Sequence, residues 1–111
     1  MMNETQTRLI LSTAPNLAEA RRIAAALVDR QLAACVNLIP GLESHYRWQG
    51  KVETAEEILL LIKTTEAQEK TLLAALNELH PYEVPEGLVL PIAGGLASYL
   101  EWVAANSKGD S

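Results

Sequence analysis

Three islands in this 111-residue chain hold most of the side chains that can do chemistry. The first, Leu32-Ala33-Ala34-Cys35-Val36-Asn37, carries the only cysteine. The second, Tyr46-Arg47-Trp48-Gln49-Gly50-Lys51, sets two large rings beside a turn. The third, His80-Pro81-Tyr82-Glu83-Val84-Pro85-Glu86, gathers an imidazole, a phenol and two carboxylates. A thiolate at Cys35 would bind a soft metal or act as a nucleophile. Its neighbours are small and apolar, however, and free cysteine is among the most buried residue types. A packed, inert thiol is therefore the competing reading. His80 can ligate a metal ion. At a helix end it can equally serve as a cap that favours the helix dipole.

Transition-metal sites use three or four ligands at recognisable spacing. Neither H-x-x-x-H nor C-x-x-C occurs here. His80 and Glu86 are the candidate ligands, for weak contact at most, and no cofactor is required. Tyr46 and Trp48 can anchor a subunit interface, because rings bury large area at low entropy cost, or they can stack on a ligand. His45, in the same extended piece, packs or is solvated. Lys63 would favour a small anionic ligand at the mouth of a cleft, or it is a strand-end charge kept at the surface. Cys35, Tyr46, Trp48, Lys63 and Tyr82 are thus further candidates to line a cleft between subunits. No Ser-His-Asp set and no paired catalytic carboxylates occur, and Pro91-Ile92-Ala93-Gly94-Gly95 lacks the spacing of a phosphate-cradling loop. No enzyme activity is expected.

The elements that must position these residues alternate along the chain. Leu9-Ile10-Leu11 is a strand core closed by Ala14-Pro15. Asn16 can cap the next helix, with Glu19 completing a capping box. Leu17, Ala20, Ile23, Ala24, Leu27 and Val28 then fall on one helical stripe. Residues 35–39 read as a strand ended by Pro40-Gly41, and residues 43–49 as a second extended piece turned at Gly50. Residues 57–64 carry the strongest strand signal. Thr65 with Gln68 resembles another capping box. The following helix carries Leu72, Leu73, Leu76 and Leu79 and stops before Pro81, since the residue before proline avoids the helical region. Leu88-Val89-Leu90 is a last strand, and residues 97–106 a last helix.

Strand, helix, strand, long hairpin, strand, helix, strand, helix predicts an α+β class: a ferredoxin-like split βαβ fold with a long β-hairpin and an extra C-terminal helix. Helices cover one face of such a sheet, so its strands should alternate apolar and polar. Ile58-Leu59-Leu60-Leu61-Ile62 does not alternate. Something must cover the second face, the chain has no spare element for it, and self-association is expected.

The length allows one domain over residues 1–111, with 1–6 and 107–111 as flexible tails. The net charge is −5, and the nine basic residues are scattered, which argues against nucleic acid, whose phosphates need a concentrated basic footprint. No apolar run reaches the roughly 20 residues of a membrane span. Met1-Met2-Asn3-Glu4 shows no leader pattern, and a lone cysteine fits a reducing compartment. A cytoplasmic protein is expected.

The ordered pieces Thr13-Ala14-Pro15, Leu32 through Asn37, Tyr46 through Lys51, Lys63-Thr64, His80 through Glu86 and Tyr99-Leu100-x-Trp102 resemble the CutA proteins, a group named for divalent-cation tolerance. The resemblance spans residues 9–102. It implies a homotrimer whose sheets pack toward a threefold axis, and a role in tolerance of, or response to, divalent cations such as Cu²⁺. Some copper-associated members carry cysteine where this chain has Ser12 and histidine where it has Leu79. Of that ligand set only His80 is present. Gly87 is a second departure, since relatives more often have a bulky residue there. The family also resembles the PII signalling proteins in architecture, so a trimeric small-molecule sensor or partner-regulating module is the alternative, resting on fold analogy alone.

Overall fold

The computed structural model describes residues 4–110. Four strands and three α-helices follow the predicted order: β1 Thr7–Ala14, α1 Leu17–Asp29, β2 Cys35–Trp48, β3 Lys51–Thr65, α2 Glu69–Leu79, β4 Leu88–Pro91 and α3 Ala97–Ala105. The sheet order is β2-β3-β1-β4, antiparallel throughout. This is the split βαβ arrangement expected from the sequence. No helix among the described residues is long and apolar enough to cross a membrane.

Local chemistry accounts for most boundaries. Asn16 Oδ1 accepts the Glu19 amide at 2.9 Å, the predicted cap of α1. The second predicted cap does not form: Thr65 makes no side-chain cap bond, and a 3-10 turn, Glu66–Gln68, precedes α2 instead. The strand predicted to end at Pro40-Gly41 continues. A bulge between Ile39 and Leu42 absorbs the extra residue, with Gly41 at φ +85°. Because β2 is the sheet edge, the missing amide of Pro40 breaks no interior ladder. The hairpin turns on Gln49 and Gly50, at φ 50° and 79°, the left-handed pair that matches strand twist.

Ile10, Ala14, Ile58, Leu60 and Ile62 face α1 and α2 and pack on Ala20, Ile23, Leu27, Leu72 and Leu76. Ser12 belongs to the same face and is fully buried, yet its hydroxyl has no partner among the described residues. A buried hydroxyl without a hydrogen bond costs about 1–3 kcal/mol. Ser12→Ala is therefore expected to raise stability by about 1 kcal/mol. A urea midpoint that moves down would show that Ser12 has an unseen partner.

On the opposite face the register aligns cross-strand rows: Cys35, Lys63, Leu9 and Leu90, then Asn37, Leu61, Leu11 and Leu88, then Ile39, Leu59 and Thr13. The sequence left no element to cover them. In fact α3 covers part: it packs on β3 and β1, and Val103 is fully buried outside the helix-side core. Ile39, Leu88 and Leu90 remain exposed, Ile39 by 46%.

The sequence assigned loose tails to 1–6 and 107–111. Residues 1–3 and 111 lie outside the described residues. Within them, Thr5 donates its amide and its hydroxyl to the Ile92 carbonyl, at 2.9 and 2.7 Å. Ser107 is buried, the Gly109 amide donates to Gln31, and Asp110 pairs with Arg30.

Candidate functional site

The last residue of β1, Ala14, pairs with Ile58, while the β2–β3 hairpin runs on to Trp48 and Lys51. Beyond β1 the hairpin therefore stands alone. The loop 80–87 leaves α2 and crosses in front of this gap. Between loop and hairpin lies a cleft of about 520 Å³, with Thr13 and Glu57 on the sheet side, Tyr46 and Trp48 on the hairpin, and Tyr82 and Glu86 on the loop.

The loop is fixed by His80. α2 ends there because Pro81 follows, and His80 takes an extended backbone, φ −78° and ψ 137°. Arg22 of α1 donates to the Leu79 carbonyl and ties α1 to this helix end. The His80 ring is buried, 7% exposed. Its Nε2 lies 2.7 Å from the Thr13 carbonyl, and its Nδ1 accepts the Tyr82 amide at 3.1 Å. A carbonyl can only accept, so Nε2 carries the proton and Nδ1 is the acceptor. Both nitrogens are thereby used. The Tyr82 ring packs on the imidazole, centroids 4.7 Å apart. Its hydroxyl donates to Glu57 Oε2 at 2.6 Å. One chain of contacts runs from the β1 terminus through His80 and Tyr82 to Glu57.

The Tyr82 phenol is pushed well above its ordinary range, first by burial and then by the Glu57 carboxylate that accepts its proton, with Tyr46 adding to the effect. The unfolded phenol ionises near 10. A raised folded value means that the contribution is complete below that pH and is lost as pH climbs through the folded value. Stability is therefore expected to fall above about pH 10, and more steeply in the wild type than in Tyr82→Phe. The variant should lose about 1–2 kcal/mol at neutral pH with the hydrogen bond to Glu57. Tyr99, also raised, by burial first and then by Cys35, keeps part of the alkaline slope. Identical alkaline slopes in the two proteins would contradict the Tyr82–Glu57 bond.

The structure brings together some of the expected site residues and separates others. Glu86, Tyr46, Trp48 and Tyr82 line one cleft. His80 stands behind it, under Tyr82. Cys35 and Lys63 are register partners farther along the strands, and neither lines the cleft. Lys63 Nζ donates to Asn37, and Cys35 is half-buried near Tyr99. Leu79 packs on the core and Ser12 points into it. Among the described residues no three His, Cys, Asp or Glu side chains converge. This donor set does not fit a closed transition-metal site. Glu57 is the residue that sequence reading missed. It sits just before the apolar run, and only the register shows that it faces away from Ile58 and into the gap left by β1.

Residues 8–106 match the family model of the CutA1 divalent ion tolerance protein. A divalent-cation tolerance protein CutA from Thermus thermophilus is 50% identical over 99 residues, covering 89% of this chain and 96% of that protein. Its counterpart from Pectobacterium atrosepticum is 47% identical, covering 90% of this chain and 91% of the relative. Among solved structures, CutA from Xylella fastidiosa superposes with a TM-score of 0.92 at 43% identity, over 94% of this chain and all of that one, 100%.

Proposed function

The chain belongs to the CutA1 divalent ion tolerance family, and on that premise we propose that it serves divalent-cation tolerance as a homotrimer with weak metal contact at the cleft. The family match carries the role. The uncovered rows of Ile39, Leu88 and Leu90 support the assembly, because an apolar sheet face left bare in one chain is covered by another copy at least cost. Copper is the favoured ion of the general affinity order. Contact falls to Glu86 at the rim. It reaches His80 only where Nδ1 exchanges the Tyr82 amide for the ion, and that exchange keeps binding weak.

Calorimetric titration tests the metal contact. Weak binding of Cu²⁺, weaker still for Zn²⁺, is expected, and it should be lost in Glu86→Gln and in His80→Gln. Tight stoichiometric binding that survives both substitutions would place the metal elsewhere. No heat at all would remove metal contact from the proposed role.

A further inference from the structure

We propose that the cleft between the hairpin and the 80–87 loop is a pocket for a small organic cation, an ammonium or guanidinium on an apolar stem, with Glu57 as its ion-pair partner. This goes beyond the metal-tolerance reading and does not depend on it. Glu57 is only 8% exposed. A carboxylate so deeply placed is ordinarily paired with a positive charge, because removing it from water costs several kcal/mol. Its one hydrogen-bond donor among the described residues is the neutral Tyr82 hydroxyl, on Oε2. Its other oxygen accepts no hydrogen bond from the described residues and opens on the cleft that Glu57 lines. No Lys or Arg among the described residues lines it with Glu57, and the imidazole that does, His45, lies 2.7 Å from Glu43 Oε2 and makes no ion pair with Glu57. The salt-bridged arginines Arg8, Arg22 and Arg30 pair with Glu66, Glu69, Glu19 and Asp110, not with this group. A cation entering the cleft would meet a carboxylate oxygen that no side chain among the described residues engages.

The walls indicate what kind of cation. Tyr46, Tyr82 and Trp48 present rings, and ring faces attract cations while offering no atom that ligates a metal. Glu83 and Glu86 at the loop side add negative potential without converging on one point. Bare divalent ions need several oxygens or nitrogens around one centre. An ammonium or guanidinium needs one carboxylate, an apolar wall and a π face. The cleft, at about 520 Å³, falls within the range of small-molecule sites.

The test is fluorescence titration of the assembled protein carrying Trp102→Phe, so that Trp48 is the only indole, with EDTA present to exclude metal. Butylammonium is the probe and 1-pentanol its neutral counterpart. Saturable quenching by butylammonium is expected, with pentanol at least about tenfold weaker. Glu57→Gln keeps an acceptor for Tyr82 and should weaken butylammonium roughly tenfold or more. Tyr46→Leu leaves Glu57 intact and should weaken it severalfold; this second variant decides the matter if Glu57→Gln does not fold. Equal binding of pentanol, unchanged binding in the folded variants, or no saturable response would overturn the proposal. Because EDTA is present throughout, none of these results bears on the calorimetric metal test.

Discussion

Leu60→Asp is expected to abolish the folded protein, whereas Ile39→Asp is expected to leave each chain folded and to dissociate the assembly. Leu60 is fully buried between the sheet and both long helices. Truncating a buried leucine alone costs about 2–5 kcal/mol. An unpaired carboxylate in the same place adds several kcal/mol. Together these match the whole stability of an ordinary domain, about 5–15 kcal/mol. Ile39 lies on the other face and is 46% exposed in the single chain, so a charge there disturbs the subunit little. Only a second copy packed on that face makes Ile39→Asp costly. Circular dichroism should report loss of fold for the first variant and native signal for the second. Light scattering should then give a trimer for the wild type and a single 12.1 kDa chain for Ile39→Asp. A wild-type monomer at micromolar concentration would remove the trimer.

His80→Ala carries the second large effect, expected at about 3 kcal/mol. The substitution strips a buried donor from the Thr13 carbonyl and an acceptor from the Tyr82 amide, each worth about 1–3 kcal/mol when left unsatisfied. It also leaves a void under the Tyr82 ring. With that ring released, the hydroxyl no longer holds Glu57, and the tyrosine signal in near-ultraviolet circular dichroism should weaken. A loss below about 1 kcal/mol would mean that the imidazole does not pin the loop. Its position suits a structural pin, since both nitrogens are spent on backbone groups.

Much of this architecture was legible in the residues. Asn16 with Glu19, Gly50 at the turn and Pro81 after α2 each act through local backbone chemistry, and local chemistry is visible in sequence. The run from Ile58 to Ile62 correctly marked a strand apolar on both faces. What stayed hidden depends on register. Pro40-Gly41 reads as a strand end, and only the edge position of β2 turns it into a bulge. Val103 reads as one apolar residue of a terminal helix, and only the packing of α3 on β3 and β1 makes that helix a cover for the second face. The site divides in the same way. The third island gave the loop and its ring, imidazole and carboxylate. Glu57 gave no signal, because its importance comes from β1 stopping short of it. Cys35 and Lys63 look adjacent to the chemistry in sequence, yet the pairing sets them farther along the strands, and neither lines the cleft.

The role itself is tested in cells. A bacterial strain deleted for its own member of the family would be grown across a copper series while expressing this chain or its Ile39→Asp variant. Restored growth at copper levels that stop the deletion strain is expected with the wild type, and little or none with the dissociated variant. Copper sensitivity left unchanged by the folded, fully expressed wild-type protein would contradict a role in divalent-cation tolerance.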